Sequence, residues 1–186
     1  MLAAAGALAL SGCGGHGGSG STAASPTTTT VPRHGGVSHA APDLEALLPD
    51  EVDGLKLRKG STTGAVVFGG NAFGGTMTRF LAAHGKGPGD LRFANAQTAP
   101  NGPELELGVF QVHGLSGSAL RRAIVSSSRP NAPGLTATNG SLAGRAVTKV
   151  VYPGGAILYL YPSGDRVFYV GTQDEALAAR IVKTFP

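Results

Sequence analysis

The sequence predicts an α+β fold: a single antiparallel sheet of about 5–6 strands with helices packed on one face. Three observations support this prediction. Several short segments alternate apolar and polar residues as strands do, while other segments space their apolar residues as helices do. Tight turns rich in glycine and proline join consecutive strands, which makes those neighbours antiparallel. The chain is predicted to end in a C-terminal β-meander followed by a helix.

The first predicted elements are a helix, a strand and an ambiguous segment. Residues 43–48 predict a short helix, because Asp43 and Glu45 suit its positive N-terminal end. Residues 55–58 alternate in the manner of a strand. The apolar run 65–68 is bounded by glycines and fits either a strand or a loop.

A second helix and a hairpin follow. Residues 76–84 carry apolar side chains at helical spacing and predict a helix. Residues 91–99 and 104–113 are strand candidates, and the Pro-Asn-Gly-Pro sequence at 100–103 is a strong turn signal. We therefore expect these two strands to pair as a hairpin.

The C-terminal third carries the clearest pattern of the chain. Three strands are predicted, at 145–152, 156–161 and 166–171, with tight Pro/Gly-containing turns between them. Residues 174–184 predict an amphipathic helix that packs its apolar side chains onto the sheet.

The segment 114–118 (GLSGS) nearly matches the nucleophile elbow of α/β-hydrolases but ends in serine where glycine is needed. An acid and then a histidine would have to follow the serine, and no histidine follows His113. The segment is better interpreted as the start of a helix at 119–125, capped by Ser116 or Ser118. The sequence therefore predicts no catalytic residue.

An apolar run at the N-terminus leads into Leu10-Ser11-Gly12-Cys13, and at roughly 10 residues it is too short to span a membrane as a helix. This pattern resembles the lipobox of the bacterial lipoprotein signal. The resemblance implies signal cleavage between Gly12 and Cys13 and lipidation of Cys13 with a diacylglyceryl group. The alternative for Cys13 is an ordinary free thiol.

The lipobox divides the chain into a signal peptide at 1–12, a linker at 13–41 and one globular domain at 42–186. The basic n-region of the signal is missing, which we interpret as a start assigned too far downstream. The linker is rich in Gly, Ser, Thr and Pro, and such a composition predicts disorder. The domain resembles secreted lipoproteins of high-GC, actinobacterial-type bacteria, a resemblance that implies no particular activity.

Composition limits the classes of function. Cys13 is the only cysteine, so the domain has no disulfide and no thiolate metal site. The five histidines are dispersed without metal-binding spacing, and the sequence predicts neither a metal nor a cofactor. The net charge is +4, and its cations are scattered, the tightest group being Arg121-Arg122. Nucleic-acid binding usually needs a concentrated basic stripe, so we expect none. A solvated basic face, or attraction to anionic phospholipid or wall polymer, remains open.

Two features are candidates for binding. Gly69, Gly70, Asn71, Gly74 and Gly75 lie before a predicted helix and are a candidate anion or ligand loop; the alternative is a turning loop. A candidate recognition surface is formed by Tyr159 and Tyr161, which share one face of a strand. The alternative for both tyrosines is packing in the core.

These features predict a lipid-anchored binding or interaction module of the cell envelope without catalysis. It would lie outside the cytoplasm, on the outer face of the cell membrane. Its expected partners are the membrane, through lipidated Cys13, and an envelope protein, polymer or lipid ligand. The alternatives are a carrier of a hydrophobic ligand, which needs a large apolar cavity, and a wall-active hydrolase, which needs His84 or His113 beside a carboxylate and a hydroxyl.

Overall fold

A computed structural model describes residues 38–68, 72–99 and 104–186. The helices are α1 (Pro42–Glu45), α2 (Gly64–Val67), α3 (Ala72–Ala82), α4 (Gly117–Ser128) and α5 (Glu175–Thr184), with single 3₁₀ turns at Pro88–Asp90 and Arg129–Asn131. The strands are β1 (Glu51–Val52), β2 (Leu55–Lys56), β3 (Arg58–Thr63), β4 (Leu91–Gln97), β5 (Glu106–Val112), β6 (Thr136–Leu142), β7 (Arg145–Val151), β8 (Ile157–Ser163) and β9 (Arg166–Gly171).

The main sheet has seven strands in the order β3-β4-β5-β9-β8-β7-β6, and every neighbouring pair is antiparallel. The α+β class, the antiparallel sheet and the C-terminal meander followed by a helix are therefore confirmed. The predicted hairpin is β4–β5, with Leu91 opposite Val112 and Gln97 opposite Glu106. A separate two-stranded sheet joins β1 to β2.

Helices cover both faces of the sheet, whereas the sequence predicted helices on one face. Successive residues of β9 alternate between two cores: Phe168 and Val170 pack with α1 and α5, while Val167 and Tyr169 pack with α3 and α4. All four side chains are buried. A strand that is apolar at every position is covered on both sides, so the run 167–170 already carried this signal.

Four local predictions need correction. The segment 65–68 is mostly helical, since α2 spans Gly64–Val67, and α3 begins at Ala72, ahead of the predicted residue 76. The prediction at 55–58 found the start of this region but missed most of β3, and β6 was missed entirely. Both missed strands lie at the edges of the sheet and consist largely of Thr, Ser, Asn, Gly and basic residues, so they show no apolar alternation.

The chain enters the fold along the free edge of β3. The Ser61 amide donates to the Ser38 carbonyl at 2.7 Å, and the Ala40 amide donates to the Ser61 carbonyl at 3.2 Å. The buried Ser61 hydroxyl accepts from the Ala41 amide at 2.6 Å and donates to the carboxylate of Glu45 at 2.5 Å. The last residues of the predicted linker, 38–41, therefore belong to the folded unit.

Candidate functional site

A groove runs between α3 and α4, which lie side by side on one face of the sheet. Its volume is about 360 Å³. The lining residues follow one another at about one helical turn on each wall: Thr76, Phe80 and His84 on the α3 side, and Ala119, Arg122, Ala123, Ser126 and Ser127 on the α4 side. The small side chains of α4 leave the space that forms the groove.

A second groove lies on the other side of α4, over β6 and β7. Its volume is about 290 Å³, and it is lined by Arg121, Arg122, Val125, Ser126, Arg129, Ala137, Asn139 and Thr148. Arg122 and Ser126 line both grooves. The two concavities therefore adjoin along α4, and we call them the α3/α4 groove and the arginine groove.

The position of α4 follows from its sequence. The Ser116 side chain caps the helix by accepting from the Ala119 amide at 3.2 Å, as one of the two predicted caps. Gly117 is buried against the backbone of Arg166, where a Cβ would overlap the carbonyl oxygen. From this start, Arg122, Ser126 and Arg129 follow at spacings of four and three residues, which places them on one side of the helical segment.

The arginines of the groove have no carboxylate partner among the described residues. Neither α3 nor α4 contains an acidic residue, and the chain has no Asp or Glu between Glu106 and Asp165. Every ion pair of the described residues involves other cations. Arg129 reaches only the Leu135 carbonyl, at 3.4 Å. The guanidinium groups are thus available to an anion from outside.

Neutral polar groups complete the walls. Buried Thr148 donates to the Asn139 side-chain oxygen at 2.7 Å, which leaves the amide nitrogen of Asn139 free to donate into the arginine groove. In the α3/α4 groove, Ser127 is fully buried and its hydroxyl has no partner within the described residues. Such an unsatisfied hydroxyl typically costs about 1–3 kcal/mol.

His84 and Phe80 form the far wall of the α3/α4 groove. Their ring centroids are 4.6 Å apart, and His84 Nδ1 lies 2.8 Å from the Phe80 carbonyl oxygen. Because a carbonyl only accepts, Nδ1 carries the proton and Nε2 is the acceptor nitrogen of the neutral ring. This end of the groove is aromatic and uncharged in that tautomer, in contrast to the arginine end.

The predicted tyrosine surface lies largely in the core. Tyr159 is 2% exposed, and its hydroxyl donates to Glu175 at 3.3 Å, so it forms no exposed strip. Burial raises the pKa of Tyr159. Tyr161 is half-buried, with its ring against Phe168 and the Arg145 guanidinium 4.9 Å from its centroid. Core packing, the alternative, describes both residues.

The predicted glycine loop is partly a helix. Gly74 and Gly75 lie inside α3, and Gly74 is buried where a Cβ would overlap the Phe68 backbone. The absence of a side chain at Gly74 therefore lets α3 pack closely against the backbone at Phe68. Gly69, Gly70 and Asn71 lie outside the described residues, so the anion loop stays a prediction for them.

The predicted lipidation and cleavage residues, Cys13 and Gly12, lie outside the described residues, as do the predicted signal peptide and most of the predicted linker. Among residues 38–68, 72–99 and 104–186, no helix is long and apolar enough to cross a membrane.

His113 meets one of the requirements of the hydrolase alternative. Its Nδ1 lies 3.0 Å from Asp165, whose carboxylate also accepts from buried Gln111 at 3.0 Å. The described contacts of His113 include no hydroxyl, and the nearby Ser116 is engaged in capping α4. No group of His, Cys, Asp and Glu that could hold a metal ion occurs in the part of the chain that the structure describes.

No protein-family model, curated protein or solved structure matches this chain. What the chain binds has therefore to be inferred from its own surface. The sequence had indicated the Arg121-Arg122 pair as the tightest basic group but missed Ser126 and Arg129, although their helical spacing was visible. Asn139 and Thr148 carried no such signal, since they reach α4 only through the fold.

Proposed function

We propose that the chain is a membrane-tethered, non-catalytic binding module of the cell envelope, and that its binding site is formed by the two grooves on α4. The lipobox supports the tether and the location outside the cytoplasm. The observation that carries the binding site is the group Arg121, Arg122 and Arg129 around one concavity without a carboxylate partner in the described fold.

The ligand of this site is an anionic component of the envelope. Guanidinium groups hold carboxylates and phosphates through paired hydrogen bonds, and Arg binds such groups with more geometric specificity than Lys. The α3/α4 groove, at about 360 Å³, lies at the lower end of the size range of small-ligand sites, and the arginine groove, at about 290 Å³, lies just below that range. The expected partners are therefore the membrane, through lipidated Cys13, and an anionic lipid, polymer or protein group held on α4.

The tether is tested by metabolic labelling with palmitate in a bacterial host, with and without globomycin. The wild-type chain should take up label and fractionate with membranes, and Cys13→Ala should do neither. A Cys13→Ala protein that stays labelled and membrane-bound would refute the anchor.

The binding site is tested by native mass spectrometry of the full chain purified from its envelope in mild detergent. Wild type should retain an anionic ligand that the Arg122→Gln/Arg129→Gln variant loses. The control is Lys56→Gln/Lys183→Gln, which removes the same charge from two exposed positions away from the grooves. Equal ligand occupancy in both variants, or no bound anion in wild type, would count against the site.

A further inference from the structure

We propose that the two grooves on α4 form one site for a phosphate-bearing amphiphile, with the phosphate in the arginine groove and the apolar part in the α3/α4 groove. This inference rests on the proposed binding function and names the class of its ligand. A phospholipid in a membrane and a soluble lipid phosphate share this chemistry.

Continuity of the two grooves is the first step. Arg122 and Ser126 line both concavities, so a ligand can occupy them together while lying across α4. A site made of two adjoining parts with different linings selects a ligand that has two chemically different ends.

The polar end suits a phosphate. Arg121, Arg122 and Arg129 supply planar guanidinium donors on one wall, and the Asn139 amide supplies a neutral donor from the opposite strand. All of these groups donate hydrogen bonds, and a phosphate offers several strong acceptor oxygens. The lining contains no carboxylate that would compete for the arginines or repel the ligand.

The apolar end suits a short hydrocarbon segment. Phe80, Ala119 and Ala123 present apolar surface, and Thr76, Ser126 and Ser127 carry uncharged hydroxyls. Arg122, which this lining shares with the arginine groove, marks the boundary between the two parts of the site. The His84 ring is tilted at 47° against the Phe80 ring, and both rings line this end of the groove. The volume of about 360 Å³ takes a short segment of chain rather than two full acyl tails.

The experiment is a calorimetric titration of the full Cys13→Ala chain, which removes the lipid anchor from the measurement. The soluble probes are dihexanoyl phosphatidic acid, dihexanoyl phosphatidylcholine, glycerol phosphate and hexanoate. Phosphatidic acid should bind saturably, and the other three probes more weakly. The choline cation of phosphatidylcholine offsets the charge of its phosphate, hexanoate lacks the phosphate, and glycerol phosphate lacks the apolar part.

Two variants separate the ends of the site. Arg122→Gln/Arg129→Gln should weaken phosphatidic acid binding by about tenfold or more, since charge-assisted hydrogen bonds are lost, while Lys56→Gln/Lys183→Gln should leave it unchanged. Ala119→Leu should fill the α3/α4 groove and weaken phosphatidic acid binding without affecting glycerol phosphate. Far-ultraviolet circular dichroism checks that each variant is folded.

The source of the ligand is separated by vesicles of phosphatidylcholine with and without phosphatidylglycerol. If the protein floats with the phosphatidylglycerol vesicles but not with pure phosphatidylcholine vesicles, and the arginine variant does not float, the site binds a membrane headgroup. If the protein binds soluble dihexanoyl phosphatidic acid but neither kind of vesicle, the site binds a free lipid phosphate. Equal binding of phosphatidylcholine or hexanoate, or equal loss in the two charge variants, would overturn the inference. The proposed function would still stand if native mass spectrometry found a different arginine-dependent anion.

Discussion

The two faces of the sheet use their charged residues in different ways. On the face of α1 and α5, Lys149 pairs with Glu175, Arg180 with Asp53 and Arg92 with Asp43. On the face of α3 and α4, the described arginines of the grooves have no acidic partner. These three cations of the first face are paired within the fold, whereas the groove arginines of the second face are available to a ligand. Substitutions should therefore change stability on one face and binding on the other.

The largest effect is expected from Phe168→Ala on the α1/α5 face. Phe168 is fully buried and stacks on Phe185 with ring centroids 4.6 Å apart, so its truncation should lower the free energy of unfolding by about 3–5 kcal/mol. Arg122→Gln, at an exposed position of α4, should change it by less than about 0.5 kcal/mol. Urea denaturation measures both free energies of unfolding. A comparable decrease in the two variants would contradict the proposed difference between the two faces.

A second test compares two buried serines. Ser61→Ala leaves the Ala41 amide without its acceptor and Glu45 Oε1 without its donor, while Glu45 Oε2 keeps His39, and the change should cost about 1–3 kcal/mol. Ser127→Ala removes a hydroxyl that has no partner in the described fold, so it should cost less than about 0.5 kcal/mol or stabilise the protein slightly. Thermal denaturation should give a lower Tm for Ser61→Ala than for Ser127→Ala. The reverse order would mean that the Ser127 hydroxyl is satisfied in solution.

A third test uses alkaline pH and one tyrosine from each face. Burial, together with Glu106, raises the pKa of Tyr169 well above its usual value near 10, and burial raises the pKa of Tyr159 less strongly. Each tyrosine therefore contributes stability that is complete below pH 10 and is lost as pH rises further, because only the unfolded side chain ionises readily. Replacing either with Phe should flatten this decline, and Tyr169→Phe should do so more. Stability measured against pH above 10 checks the order.

The smallest effect is expected from Glu175→Gln. The Lys149 ammonium, 2.9 Å away, lowers the pKa of this exposed carboxyl by hydrogen bonding and charge. A lowered pKa contributes stability that is present at neutral pH and is lost as pH falls through the folded value. The variant should therefore be slightly less stable than wild type at neutral pH and equal to it in strong acid. If the stability difference between the variant and wild type were the same in strong acid as at neutral pH, the ion pair could not be its cause.

The predictable part of the fold is the part with strong local patterns. The turns around Pro153 and Pro162 and the apolar run of β9 were enough to predict the meander, and Ser116 was correctly expected to cap a helix. Edge strands β3 and β6 escaped because their side chains are polar and their pairing depends on neighbours distant in sequence. The helices on the second face of the sheet were missed for a different reason, since the fully apolar run of β9 at 167–170 carried the signal of a strand covered on both sides and was not used.

The candidate site was less predictable than the fold. Its helical half was readable in principle, because Arg122, Ser126 and Arg129 share one side of α4. The other half depends on β6 and β7 lying beside that helix, which brings Asn139 and Thr148 to the same groove as the arginines. No local pattern encodes that meeting.

The entry of the chain along β3 sets the direction from which the proposed tether would act on the domain. Residues 38–41 lie at one margin of the seven-stranded sheet, and the arginine groove lies over β6 and β7 at the opposite margin. Five to six strand spacings of about 4.8 Å separate these margins, or roughly 25–30 Å. A force transmitted by the proposed tether would thus act on the β3 margin, and the arginine groove would lie on the opposite margin from the point of attachment.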